Sequence, residues 1–332
     1  MRAMILAAGY GTRLWPLTAD RTKPAIPFLG RPLVGYVAEY LASHGVQEIA
    51  VNLHHEPDSV REALGDGSRF GVSLHYVEEP EILGTSGALD NARDFLESDT
   101  FIVVNGKIVT DINLHAAIET HRRTKALATL VLRENPLRER FSVVNTKDGL
   151  VTGFGGMPQP LESDNADGND EKEVPLMFTG IQILEPRIFN YIPRNIFSHS
   201  TTDVYPQAIS NGERVAAHIA AGTWYELSTI ERYLSISLAM LKREGREVDL
   251  GAGSFVSTEA EVSESVLWDN VTVEAGARVR RAVIGDGVLI PSGELIERAA
   301  VVRKELVEGL EPPPKALKGE VIGDNFVVSL AE

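Results

Sequence analysis

No cysteine occurs among the 332 residues, which excludes disulfides and thiolate metal sites and is the usage expected of a cytoplasmic protein. No apolar run reaches the length of a membrane span, and the N-terminus lacks the basic and apolar regions of a secretory signal. Neither a membrane nor an export route is therefore expected. Positive charge is in short supply: 32 Lys and Arg stand against 47 Asp and Glu, a net charge of −15. That balance argues against nucleic acid as the main partner, though not against a nucleotide, for which a few local cations suffice. Apolar residues make up 43%, an ordinary share that excludes disorder, and the length allows a large core and more than one domain.

The cations that matter gather near the start. Ala3-Met4-Ile5-Leu6 is a short apolar run ended by glycine, the pattern of a buried strand opening a parallel sheet. It leads into Leu6-Ala7-Ala8-Gly9-Tyr10-Gly11-Thr12-Arg13-Leu14, with Lys23-Pro24 further on. Two glycines let backbone N–H groups approach phosphate oxygens, Arg13 offers a bidentate grip and Lys23 a point charge. The string is not a P-loop, because no Gly-Lys-Ser/Thr follows Gly9. It is not the dinucleotide fingerprint either, because Leu14 stands where the third glycine would be.

The full string, with Arg13 and Lys23-Pro24, resembles the signature of the sugar-phosphate nucleotidyltransferases. The resemblance implies that Leu6, Ala7, Ala8, Gly9, Gly11 and Thr12 wrap a nucleoside triphosphate, with Arg13 and Lys23 as the catalytic cations on its phosphates. Ile82-Leu83-Gly84-Thr85-Ser86-Gly87-Ala88 resembles the segment that packs on the base, so Gly84 and Gly87 are expected there. Read alone, the same stretch is a loop and a helix start capped by Thr85 or Ser86. Asn105, closing the strand Phe101 to Asn105, and Gly180, within the strand Phe178 to Leu184, are expected at the sugar.

Three positions depart from the pattern. The family holds Mg²⁺ with an Asp after the Asn-Gly pair, and this chain has Lys107. The family's second metal Asp, in Trp-x-Asp-x-Gly-Thr, is Glu226 in Trp224-Tyr225-Glu226-Leu227-Ser228-Thr229. The Glu-Lys that touches the sugar phosphate is Gly156-Met157. Mg²⁺ is thus the cofactor implied by the family, with Glu226 its one candidate ligand, and an ammonium at 107 repels such an ion. Asp111 reads as the cap of a helix beginning near Leu114.

Elsewhere strands alternate with helices: Ile49 to Leu53, Pro57 to Leu64, Ser73 to Val77, then Ala128 to Arg133, a hairpin from Ser142 to Phe154, Val215 to Ile219, and a helix from Ile230 to Glu244. This is α/β alternation, with a Rossmann-like, mostly parallel sheet whose ligands sit at the carboxyl ends of the strands. Residues 162–173 are acidic and without apolar side chains, which reads as a surface loop. From about Leu250 the texture changes. Leu267, Val273 and Val279 are six apart and, after a slip of one, Ile284, Ile290 and Ile296 repeat the spacing. One aliphatic per hexad reads as a left-handed β-helix. With no histidine in that segment to serve as a base, it is not an acyltransferase.

The expected architecture is therefore a nucleotidyltransferase domain over 1–248 and a hexapeptide tail over 249–332, in a homo-oligomer. The expected reaction condenses a nucleoside triphosphate with a sugar 1-phosphate, releasing pyrophosphate. The tail gives the chain its likeness to the mannose-1-phosphate guanylyltransferases. The changes at 107, 156–157 and 226 leave a second reading open, a non-catalytic homologue that binds a nucleotide sugar and regulates a partner enzyme.

Overall fold

The structure, a computed structural model, describes residues 1–157 and 174–330; the acidic run at 162–173 lies outside them. Buried apolar runs form a nine-stranded sheet in the order Ser73–Glu78, Glu48–Leu53, Ala3–Leu6, Phe101–Asn105, Leu176–Leu184, Ala128–Glu134, Val215–Ile219, Leu150–Phe154, Val144–Lys147. The first four strands are mutually parallel. Leu176–Leu184 runs antiparallel to both neighbours, so the sheet is mixed. The register sets Leu6 beside both Asn52 and Asn105. Three loops thus leave the sheet from one row at its carboxyl edge, where ligands bind in such folds.

The helices follow their apolar spacing. Leu33–Ser43 begins after Pro32 and buries Leu33, Val34, Val37, Ala38, Tyr40 and Leu41 on one face. Ile230–Arg243 is capped by Thr229, whose hydroxyl accepts from the Arg232 N–H. Two expected caps are corrected. Leu114–Thr124 is capped by Asn113, which accepts from the Ala116 N–H, and not by Asp111. Asp111 instead accepts from the Thr223 N–H at 2.5 Å, 112 residues away in sequence but adjacent in space. The helix Gly84–Asn91 has Leu83 at its cap position and no side-chain cap. The Thr85 and Ser86 hydroxyls turn to residues 198–200 instead, Thr85 accepting from the Ser200 N–H and Ser86 donating to the Ser198 hydroxyl.

From Val248 the chain winds into coils. As far as Ala299–Arg303 the strands pair in parallel seventeen residues apart, as Val266 with Val283, Val273 with Ile290 and Val279 with Ile296, and Asn325–Ser329 then closes the stack antiparallel. Two steps of six and one of five make a turn, and the short step explains the slip in the hexad pattern. At that corner Glu264, Arg281 and Arg298 take left-handed backbone, one above another. Leu267, Val273, Val279, Ile284, Ile290, Ile296 and Val301 fill the inside. Alternate residues Val266, Val283 and Ala300 face out and pack with Trp268 and Val302 onto Leu14, Trp15, Leu17, Phe28 and Tyr233. The Trp268 indole N–H donates to the Tyr233 hydroxyl at 3.0 Å inside that joint. The coil therefore forms the floor under the glycine loop.

Candidate active site

The loop after Leu6 is held from beneath. The Ala7 N–H donates to Asn52 Oδ1 at 2.7 Å, and the Thr22 hydroxyl donates to the Gly9 carbonyl at 3.0 Å. Gly11 has φ +65°, and a Cβ there would stand 2.8 Å from Lys23 Cβ. Glycine is thus required twice at this position, by the left-handed backbone and by the close approach of Lys23. Nothing lies within 4 Å of a Cβ built on Gly9, which leaves its backbone open to the cavity.

That cavity, about 360 Å³, is lined by Leu6, Ala8, Gly9, Gly11, Thr12 and Arg13, by Lys23 and Lys107, and by Asn52, Glu79, Gly84, Thr85 and His199. Arg13 is exposed at the mouth and has no ion-pair partner among the described residues. Asn52, Glu79, Thr85 and His199 are site residues that the motif comparison passes over. Asn52 donates to Glu79 Oε1 at 2.6 Å, and Glu79 Oε2 accepts from the Leu83 N–H at 3.0 Å. This brace ties the glycine loop to the loop before Gly84. Burial pushes the Glu79 carboxyl up, against the lowering effect of those two bonds. The one sequence signal for it is Asn52, a polar residue within the apolar run Ile49 to Leu53.

Gly84 has φ +75°, and a Cβ there would stand 2.4 Å from the Ser198 carbonyl. Gly87 is turned to the Ile196 carbonyl and is not a wall of the cavity, unlike its expected place beside the base. Gly180 has φ +81°, and a Cβ there would strike the Asn105 amide nitrogen, 2.1 Å away. The glycine thus makes room for Asn105, which reaches both this cavity and its neighbour.

The neighbouring cavity, about 840 Å³, is lined by Asn105, Lys107, Phe141, Thr152, Phe154, Phe178, Thr179, Thr201, Thr202, Trp224 and Glu226. Its walls are aromatic faces and hydroxyls, which suit the apolar faces and hydroxyl edges of a sugar. Among the described residues Lys107 is its one cation, and it lies on the boundary with the first cavity. Gly156 and Met157 make no wall of either cavity.

At the boundary Lys107 Nζ lies 2.5 Å from Glu226 Oε1. Register brings them together: Trp224–Glu226 pairs with Ile108–Thr110, with Glu226 opposite Ile108. Burial works against the Glu226 charge, but the ammonium groups of Lys107 and Lys23 outweigh it and hold the carboxyl below its ordinary value. The Lys23 amine is pushed well below its ordinary value by burial first, then by Lys107, with Glu226 pulling the other way. Arg13, Lys23 and Lys107 thus face one carboxylate, an excess of positive charge in a protein of net −15.

A divalent cation does not fit these residues. Glu226 Oε1 is paired with the Lys107 ammonium, which repels such an ion, and Asp111 Oδ1 accepts from the Thr223 N–H. Among the described residues no group of three or more His, Asp or Glu side chains is placed to hold a metal ion.

Comparison with known proteins gives a matching picture. Residues 2–243 match the family model described as nucleotidyl transferase, and residues 243–301 match that described as GlmU-like, C-terminal hexapeptide. The repeats of the second are left-handed β-helices, which agrees with the parallel coils. A UTP–glucose-1-phosphate uridylyltransferase of Synechocystis is 31% identical, covering 82% of this chain and 72% of the relative. A mannose-1-phosphate guanylyltransferase of Mycobacterium tuberculosis is 26% identical, covering 82% of this chain and 81% of the relative. The solved structure of HddC from Yersinia pseudotuberculosis complexed with GMP-PN shares the fold at TM-score 0.61 and 22% identity, covering 72% of this chain and 99% of that one.

Proposed function

Because the chain belongs to the nucleotidyl transferase family, and within it to the sugar-phosphate nucleotidyltransferases, we propose that it joins GTP to mannose 1-phosphate, forming GDP-mannose and pyrophosphate. The reading of the site rests on the meeting of Arg13, Lys23 and Lys107 where the phosphate loop, the Asn105 strand end and the sugar-side cavity adjoin. In the reaction a sugar phosphate oxygen bonds to the α-phosphorus as the bond from that phosphorus to the pyrophosphate oxygen breaks. The nucleophile is already an anion, so no base is needed, and the task is alignment and charge cancellation. Open backbone at Gly9 and the left-handed turn at Gly11 cradle the triphosphate, Arg13 meets the leaving pyrophosphate, and Lys23 meets the α-phosphate.

Two observations support guanine and mannose. The Glu79 carboxylate is fixed in the cavity wall by Asn52 and the Leu83 N–H. Guanine offers two adjacent N–H donors to such an acceptor, whereas uracil offers one between two carbonyls. The match to the mycobacterial guanylyltransferase also spans more of that relative's own length, 81%, than the 72% of the uridylyltransferase, although the latter is the more identical. Pyrophosphate release from GTP, UTP, dTTP and ATP, each with mannose 1-phosphate and glucose 1-phosphate, tests the reading. The fastest rate is expected for GTP with mannose 1-phosphate. A faster rate for UTP with glucose 1-phosphate would overturn the specificity and keep the class. Nucleotide-sugar binding without turnover for any pair would favour the regulatory homologue, a reading that the Lys107–Glu226 pair keeps open.

Arg13→Ala is expected to weaken nucleoside triphosphate binding by roughly 1.5–3 kcal/mol, the worth of a charge-assisted contact. Equal affinities of wild type and variant by calorimetry would remove Arg13 from the phosphate site. The reading includes a cytoplasmic location, where such substrates are found; no helix among the described residues is long and apolar enough to cross a membrane. It also includes a homo-oligomer, formed over the outer coil face that leaves Phe255 and Leu289 exposed, and light scattering reads that state.

A further inference from the structure

We propose that the Lys107 ammonium, held by Glu226, takes the place of a divalent cation in the transfer step, so that this chain forms its nucleotide sugar without a metal ion between the two phosphates. The inference rests on the transferase reading above.

Position comes first. Lys107 follows the tight turn at Gly106, where a Cβ would stand 3.0 Å from the Leu6 carbonyl. It therefore leaves the sheet on the row shared by Leu6, Asn52 and Asn105. Its side chain lines both cavities, so on the transferase reading it stands where the α-phosphate and the sugar phosphate meet. Glu226 lines the sugar-side cavity alone.

Charge comes second. Two aspartates around a dication are neutral in sum; one lysine beside one glutamate is neutral too. The exchange of both positions keeps the charge of the loaded centre while removing the need for an ion. The extra methylene of glutamate supplies reach: the register places Glu226 opposite Ile108, and the longer carboxylate spans to Nζ at 2.5 Å. Arg232 fixes the other end by donating from Nε to the Glu226 carbonyl at 3.1 Å. An ammonium has three donors. One goes to Glu226, and two remain for oxygens of the two phosphate groups on either side.

During transfer the sugar phosphate oxygen–α-phosphorus bond forms, the bond to pyrophosphate breaks, and pyrophosphate leaves with the electron pair. No proton moves and no further reactant is required. Lys107 offsets the repulsion between the two anions as they approach, Lys23 stays on the α-phosphate, and the charge on the leaving group falls to Arg13.

The test measures nucleotide-sugar formation by protein stripped of metal, in excess EDTA and in Mg²⁺, for wild type, Lys107→Gln and Lys107→Asp, with Mn²⁺ binding to each nucleotide-free protein followed by its paramagnetic effect on water. Wild type is expected to form product in EDTA at a rate close to its rate in Mg²⁺, and to bind no Mn²⁺. Lys107→Gln is expected to lose about 10²-fold or more in EDTA. Lys107→Asp is expected to be inactive in EDTA, to bind Mn²⁺ and to recover activity in Mg²⁺. Product formation by wild type only with metal, or Mn²⁺ binding by wild type as tight as by Lys107→Asp, would overturn the proposal and leave the transferase reading standing. No product from any protein in either condition would overturn both.

Discussion

Lys23→Met is expected to lower the rate of pyrophosphate release by about 10²–10³-fold, the loss typical of removing one preorganised charge-stabilising donor, while raising the melting temperature of the free protein. The two effects have one cause. Lys23 is 7% exposed, its stem lies against Gly11, and its charge sits among Lys107, Arg13 and Arg232 with one nearby carboxylate, Glu226. Burial and repulsion push its amine well below its ordinary value, so the free protein carries a destabilising charge that a bound polyphosphate offsets. Methionine keeps the stem and removes the charge. The sign with pH follows. Below the depressed folded value, Lys23 is protonated in both states and its full penalty is present. As pH rises from there to about 10.4, the folded chain sheds a proton that the unfolded chain keeps, and wild-type stability gains. The stabilisation by Lys23→Met is therefore largest on the acid side of that window and gone above it. Melting curves from pH 6 to 10 together with release rates check both parts. A variant that melts lower at neutral pH with its rate intact would make Lys23 a structural residue. A site that trades stability for charge placement is the usual cost of function.

The glycine loop was legible because its meaning is local. The spacing of Gly9, Gly11, Arg13 and Lys23 is written along the chain, and the structure brings all four to one cavity. The hexads were legible for the same reason. The five-residue corner was not, because Glu264, Arg281 and Arg298 occupy its left-handed positions in place of the glycine or asparagine that announces a turn. What depends on pairing between distant segments stayed hidden. Lys107 and Glu226 could each be set against a family position, but their ion pair follows from the Glu226–Ile108 register, across more than a hundred residues. Asn52 and Glu79 are bland in sequence and become a brace only when the edge strands align. Asp111 and Thr85 carry strong local capping signals, and distant partners at Thr223 and Ser200 won. The polar residues at the sheet edge are used across the site, not along the chain.

The largest stability effect is expected for Ile290→Asp, at about 4 kcal/mol or more, because a carboxylate without a partner would enter a narrow apolar coil. Ile290 is fully buried, paired with Val273 below and in the same core as Ile284 and Ile296. Ile290→Val, which removes one methyl, is expected to cost only about 1 kcal/mol. In a coil each turn rests on its neighbours, so the damage spreads along the tail. Hexad spacing alone would stop the damage there, with the transferase half still folded. The shared core gives a different outcome. Val266, Trp268, Val283 and Ala300 bury Leu14, Trp15, Phe28 and Tyr233, the underside of the glycine loop. Arg21, just past that loop, reaches Asp286 of the coil at 2.7 Å and lies over the Trp268 ring. Losing the coil would leave those side chains exposed and the loop without its floor. Ile290→Asp is therefore expected to melt in one transition well below wild type, with nucleotide binding lost across that same transition. Thermal melting followed by far-ultraviolet dichroism and by nucleotide binding gives the answer. Two separate transitions, with binding kept through the first, would show that the coil and the phosphate site are independent units and that the buried Tyr233–Trp268 joint carries little of the coupling.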